Sequence, residues 1–210
     1  MKEYKTEQEI FWAGQFGDEY IKRNDNEFQI ASNIAMFSKI LDGINNVESI
    51  IEFGANIGLN LIAIKNLLPK IELSAIEINQ KAVLELQRRL GEKIKIYHKS
   101  ILDFMPEDKR DFVLIKGVLI HLDPDCLQDI YDKLYQTSNR YICIAEYYNP
   151  VPVEVSYRGH QGKLFKRDYA GEMLDKFKDL HLIRYGFVYH RDPSFPQDDI
   201  TWFLLEKSKK

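Results

Sequence analysis

Cysteine is scarce in this chain, with Cys126 and Cys143 the two copies among 210 residues. Two thiols without paired spacing make neither a zinc-ligand set nor a disulfide scaffold, so a reducing, cytoplasmic setting is expected. The five histidines are scattered, and no metal site is implied. No apolar run reaches the ~18 residues of a membrane span, and the opening MKEYKTEQEIFW lacks the apolar core of a signal peptide. Excess charge of one sign is also missing, the formal net charge being -3. Without a basic field, a nucleic-acid polymer is a poor substrate. Neither repeats nor low-complexity linkers divide the chain, and its length suits one well-buried core.

What is present is alternation. Strands are expected over residues 49–53 (SIIEF), 71–76, 94–98, 111–115 and 140–145. Helical spacing runs over 59–68, from a cap at Asn79 to a stop at Gly91, and from Asp123, with Pro124 at the first helical position, to about Thr137. Such alternation builds a parallel sheet with helices on both faces. The tail breaks the rhythm: 180–188 and 201–205 read as two strands joined through Pro193 and Pro196, hairpin-like and so antiparallel. Residues 1–45 read as a helical flank or lid, with an apolar stripe over 28–41. One domain is expected over 1–210: that flank, a ligand-binding half at 46–146, and a loop with the closing hairpin at 147–210.

The segment Glu52-Phe53-Gly54-Ala55-Asn56-Ile57-Gly58 puts two glycines where a strand meets a helix. There the chain must turn sharply and its backbone must come close to a ligand, Gly54 allowing the turn and Gly58 the approach to the helix start. Glu77 ends the next strand nineteen residues after Gly58, near the ~20 expected of a carboxylate that accepts hydrogen bonds from ribose hydroxyls. The third glycine of a dinucleotide site is absent, and Glu52 would repel a pyrophosphate. A nicotinamide-dependent oxidoreductase is therefore disfavoured, whereas a sulfonium ligand carrying an amino group suits Glu52.

With these residues on the page, EFGANIG, Glu77 and the strand 111–115 resemble motifs I, II and IV of class I S-adenosylmethionine methyltransferases, over about residues 49–146. The resemblance implies a Rossmann-like fold, a mostly parallel seven-stranded sheet closed by an antiparallel hairpin, and S-adenosyl-L-methionine as cofactor, released as S-adenosyl-L-homocysteine. Glu52, Gly54, Ala55, Asn56, Gly58, Glu77 and Ile78 become its cofactor residues. Ser100 and Ile101 take the places that hold the adenine, with Asp103 an alternative cap for the next turn. Lys116 and Gly117, at the carboxyl end of the fourth strand, should line its methionine part. His121 either removes a proton from an acceptor or caps the following helix. Near the start, Tyr20 or Arg23 could bind the methionine carboxylate; alternatively Phe11, Trp12, Phe16 and Tyr20 only anchor a helix.

After the fifth strand, polar, aromatic and basic residues crowd a long loop: Glu146, Tyr147, Tyr148, Asn149, Tyr157, Arg158, His160, Lys166 and Arg167. It reads as an acceptor pocket, with tyrosines facing a ring, Arg158, Lys166 and Arg167 holding an anionic group, and His160 a second candidate base, or else as a solvated excursion. The strings IAEYYNPVPVEVSYRGHQGKLFKRDYAGEM and FWAGQFGDEYIKRN resemble methylases associated with pseudaminic acid biosynthesis, a likeness spanning nearly the whole chain. It implies a free or nucleotide-linked surface-glycan sugar as the acceptor and O- or N-methylation as the reaction. A second reading keeps the cofactor site without catalysis, as a sensor or scaffold in glycan assembly. Oligomeric state leaves no mark in the sequence.

Overall fold

The computed structural model describes residues 4–24 and 26–208, Asn24 and Glu27 by backbone alone. Parts of the expected flank and domain, residues 1–3, 25 and 209–210, lie outside the described residues. Three helices precede the sheet: α1 (Glu7–Ala13), α2 (Gln15–Asn24) and α3 (Glu27–Leu41). Thr6 and Glu9 form a reciprocal capping box that starts α1, and the Asn26 side chain accepts from Phe28 N to start α3.

Strands and helices then alternate as the apolar pattern required. They are β1 (Ser49–Phe53), α4 (Leu59–Leu67), β2 (Glu72–Glu77), α5 (Gln80–Leu90), β3 (Lys95–His98), β4 (Arg110–Lys116), α6 (Leu127–Thr137) and β5 (Ser138–Glu146). A two-residue ribbon, β6 (Val153–Glu154) with β7 (Phe165–Lys166), and α7 (Tyr169–Lys176) lead to the hairpin β8 (Leu180–Val188) and β9 (Ile200–Lys207). Seven strands form one sheet in the order β3-β2-β1-β4-β5-β9-β8. The first five run parallel, and β9 is antiparallel to both β5 and β8. This is the expected topology, with the hairpin at the edge.

Strand periodicity sorts the core. Ile50, Phe112, Leu114 and Cys143 pack on one face under α3 and α4, while Ile51, Val113, Ile115 and Ile142 pack on the other under α6 and α7. Both faces are covered, which is why these strands read as unbroken apolar runs. The strand order reverses at β1, whose neighbours are β2 on one side and β4 on the other. In open parallel sheets the crevice at that reversal, beyond the carboxyl ends, is where ligands sit. The antiparallel β9 starts beside the end of β5, Thr201 pairing with Glu146, so the β8–β9 loop returns to the same edge. No helix among the described residues is long and apolar enough to cross a membrane.

Asn79 links this sheet to the N-terminal helices. Its side-chain oxygen accepts from Lys81 N and Ala82 N at 2.9 and 3.0 Å, capping α5, and its amide donates to Trp12 O and Asp18 Oδ1 at 3.2 and 3.0 Å. Asn79→Ala should lower urea-unfolding stability by about 1–2 kcal/mol, as a lost cap does. Asn79→Asp should retain the cap yet make the α1–α2 junction more readily cleaved by protease, because its carboxylate cannot donate to Trp12 and faces Asp18.

Candidate active site

A cavity of about 610 Å³ opens at the predicted crevice. Its floor is the turn after β1. Gly54 and Asn56 have positive φ, 74° and 48°, and Gly54 N and Ala55 N donate to Ile76 O at 2.9 and 3.1 Å. A Cβ on Gly54 would come within 2.6 Å of Val118, so no side chain fits there. Gly54, Ala55 and Asn56 all line the cavity. Gly58 does not: its open side faces Leu86 and Leu90 of α5, 3.3 and 3.2 Å from a notional Cβ, and it serves helix packing instead of ligand approach.

Glu77 fixes this turn. Its two carboxylate oxygens accept from Asn56 N and Asn79 N, each at 2.7 Å, and with Ile78 it lines the cavity. Burial raises its pKa while those N–H groups oppose the rise. Glu52 sits behind the turn, fully buried, with Asn60 Nδ2 donating to Oε1 at 2.6 Å. Glu52 is thus not a cavity wall, and Asn56 and Asn60 stand between it and the open space. Three buried acceptors here lack partners: Glu52 Oε2, Asn56 Oδ1 and Asn60 Oδ1. Unpartnered buried oxygens are costly, and a cationic donor would satisfy all three, with the Glu52 carboxyl giving up its proton as the cation binds. Burial pushes Glu52 up to about 8, with the Asn60 bond opposing. Lys116, whose pKa burial lowers and Glu52 pulls back up, lines the cavity with Gly117.

On the β3 side, Ser100 and Ile101 line the cavity. Ser100 Oγ accepts from Leu102 N at 3.0 Å and so caps the short helical turn Ile101–Asp103. That is the role considered for Asp103, which instead pairs with Lys5 at 2.6 Å.

The roof comes from α1 and α2. Trp12 and Tyr20 line the cavity, their rings 5.2 Å apart, and Trp12 lies 4.7 Å from the His121 ring. Arg23 points away: its guanidinium lies over Phe16 at 5.0 Å and pairs with Glu19 at 3.8 Å, so it is not placed to hold a ligand carboxylate. His121 is buried, and its Nδ1 lies 2.6 Å from Lys163 O, which can only accept, so Nδ1 carries the proton. Burial holds its pKa down at about 4 despite that bond, leaving a neutral ring with Nε2 as an acceptor in the cavity. His160, by contrast, is exposed outside the cavity with its ring 5.0 Å from Phe11.

The long loop divides. Tyr147, Tyr157 and Arg158 line the cavity, Arg158 at a positive φ of 51° on a tight turn closed by Tyr157 and His160. Glu146 lies beneath it, Oε1 accepting from Val118 N and Leu119 N at 3.0 and 2.9 Å, and positions the turn that bears His121. Tyr148 turns outward against Phe203, and Asn149 donates to Val151 O within its own loop. Lys166 is spent over the Tyr147 ring at 5.3 Å and Arg167 on Glu172 at 2.6 Å, so neither reaches the cavity to hold an anion. The wall missed in the sequence comes from α3 (Gln29, Ser32 and Asn33) and from the β8–β9 loop (His190, Gln197 and Asp198), joined where Gln197 Nε2 donates to Ser32 O at 2.9 Å. Gln29 and Asn33, four residues apart and so on one face of the helix, were the available signal.

No protein-family model matches the sequence, nor does any curated protein. Solved structures match over nearly the whole chain. The plantazolicin methyltransferase BpumL in complex with SAH is similar at TM-score 0.67 and 15% identity, over 96% of this chain and 94% of that one. The Burkholderia thailandensis 1,6-didemethyltoxoflavin-N1-methyltransferase, with bound 1,6-didemethyltoxoflavin and S-adenosylhomocysteine, gives 0.68 and 12%, over 92% and 84%. Magnesium protoporphyrin IX methyltransferase from Synechocystis PCC 6803, with bound SAM, gives 0.66 and 13%, over 99% and 100%. The fold is the Rossmann-like fold of these methyltransferases.

The buried carboxyls make stability fall with pH. Glutamate ionises near 4.5 when unfolded, whereas burial raises Glu52 to about 8 and Glu146 to about 7 in the fold. Unfolding between those values releases protons, so stability present at pH 5 is lost as pH rises to 8. Glu52→Gln, whose carbonyl can still accept from Asn60, should melt within ~1 °C of the parent at pH 5 and at least ~3 °C above it at pH 8, where ~1 kcal/mol is worth about 2–4 °C. Differential scanning fluorimetry without ligand reads this.

Proposed function

We propose that the chain is an S-adenosylmethionine-dependent methyltransferase acting on O or N of a small polar acceptor. The observation that carries this is the set of orphaned acceptors, Glu52 Oε2, Asn56 Oδ1 and Asn60 Oδ1, beside a cavity whose floor Glu77 shapes. A ligand with an ammonium group and a ribose fits that donor demand, and the fold neighbours are described with SAH or SAM. Asn56 and Asn60, with Glu52 behind them, would take the amino group, Glu77 and Ile78 the ribose, Ser100 and Ile101 the adenine, and Lys116 with Gly117 the methionine chain. When bound, the cofactor supplies a methyl group already activated on a sulfonium.

The protein's part is then alignment and exclusion of water. Trp12 and Tyr20 cover the cavity, and His121, neutral and fixed as the Nδ1–H tautomer, offers Nε2 to orient an acceptor hydroxyl or amine. The acceptor would lie toward Gln29, Asn33, Tyr147, Gln197 and Asp198, a wall rich in hydrogen-bonding groups. Such a wall supports a polyhydroxylated acceptor, a surface-glycan sugar or its nucleotide-activated precursor of the pseudaminic acid type. Arg158 supports an acidic one. We read residues 1–210 as one cytoplasmic enzyme domain: the flank at 1–45 as lid, 46–146 as the cofactor half, and 147–210 with α3 as the acceptor side.

Titration calorimetry with S-adenosylhomocysteine should give micromolar or tighter binding, weakened at least about tenfold in Glu77→Ala, the loss of roughly one buried hydrogen-bonded group. Because Glu52 is raised to about 8, binding a cationic amine at pH 7 should release close to one proton, vanishing near pH 9 and in Glu52→Gln. Labelled methyl transfer from S-adenosylmethionine to nucleotide-activated nonulosonic acids tests the acceptor. Absence of any S-adenosylhomocysteine binding would refute the proposal.

A further inference from the structure

We infer that His190, held by Asp199, is the general base of this site; the inference rests on the methyl-transfer reading. His190 leaves the end of β8 on the loop that returns to the carboxyl edge, and it is one of the residues lining the cavity. Its Nδ1 lies 2.8 and 2.9 Å from the two carboxylate oxygens of Asp199, and its backbone N donates to Asp199 Oδ1 at 3.1 Å. A carboxylate accepts only, so Nδ1 carries the proton and the Nε2 lone pair is left free of any hydrogen bond among the described residues. This is the arrangement in which a carboxylate fixes an imidazole tautomer and stabilises the imidazolium that forms.

The other histidines serve less well. His160 lies outside the cavity. His121 is inside, but burial makes it a weak base, suited to accepting a hydrogen bond and not to keeping a proton. The His190 and Asp199 side chains are 53% and 50% exposed, so a proton taken up there can pass on to water. Tyr147, Gln197 and Asp198 share its part of the cavity, which is where an acceptor would sit. In the step, an acceptor lone pair bonds to the methyl carbon, the carbon–sulfur pair stays on sulfur, and the acceptor's proton passes to His190 Nε2. Charge balances: one sulfonium is lost and one imidazolium is gained. The charged groups about the pair are Lys166 on β7, which acts on Asp199, and Asp198 and Arg158, which line the same cavity, while Asp192 turns to accept from Ser194 N and Phe195 N.

Two measurements test this on the full chain saturated with S-adenosylhomocysteine or S-adenosylmethionine. Nitrogen-15 histidine NMR at pH 8 should place the His190 proton on Nδ1 with Nε2 bare, and Asp199→Asn should mix the tautomers. A proton on Nε2, or an imidazolium throughout pH 6 to 9, overturns the proposal without any acceptor. Methyl transfer to nucleotide-activated nonulosonic acids should fall at least about 100-fold in kcat for His190→Gln and about tenfold for Asp199→Asn, the range of a lost general base and its orienting partner. KM and S-adenosylhomocysteine affinity should stay at the parent's values. Parental kcat in His190→Gln overturns the proposal. Failure of the parent chain to bind S-adenosylhomocysteine sinks the methyl-transfer reading instead, and the NMR result then still decides the pair's geometry.

Discussion

Two turns of the site are each held by a buried carboxylate from the neighbouring strand's end. Glu77, the last residue of β2, accepts from the turn after β1, and Glu146, the last residue of β5, accepts from the turn after β4. Backbone N–H groups left free by a turning chain need partners, and in a sheet covered on both faces water cannot supply them. The carboxylates do, at the cost of their own burial, which raises both pKa values. Everything that lines the cavity floor, from Gly54 to His121, depends on these two clamps.

What was legible in the sequence follows from the range of the forces involved. Gly54, Asn79 and Gly91 act on residues two to four positions away, through φ and capping bonds, so their spacing announced the turn and both ends of α5. Glu77 was found by its distance from the glycines. Glu146 was misread because its aromatic and polar neighbours suggested a binding loop, while its role is a bond to residues 28 and 27 positions earlier. Lys166 and Arg167, expected to hold an anionic group, are engaged by Tyr147 and Glu172. Gly58 was assigned to ligand approach because a sequence does not show which side of a glycine is crowded.

The cavity wall built by α3 and the β8–β9 loop was the least legible part. It joins α3, before the sheet, to the β8–β9 loop, near its end, through a contact 165 residues apart in sequence. Antiparallel β9 brings that loop back to the carboxyl edge. Only the full strand order brings His190 and Tyr147 to one cavity, and strand order is not written in any local pattern.

The roof has one further consequence. Helix α1 is hooked to the start of α5 by Asn79 on Trp12 O at 3.2 Å, and to the long loop by Gln8 on Gly162 O at 3.0 Å and Lys163 on Glu7 at 3.2 Å. One short helix therefore latches two segments of the protein across a single cavity. Loosening either seam would slacken the other, so the roof behaves as a strap stitched at both rims of the cavity.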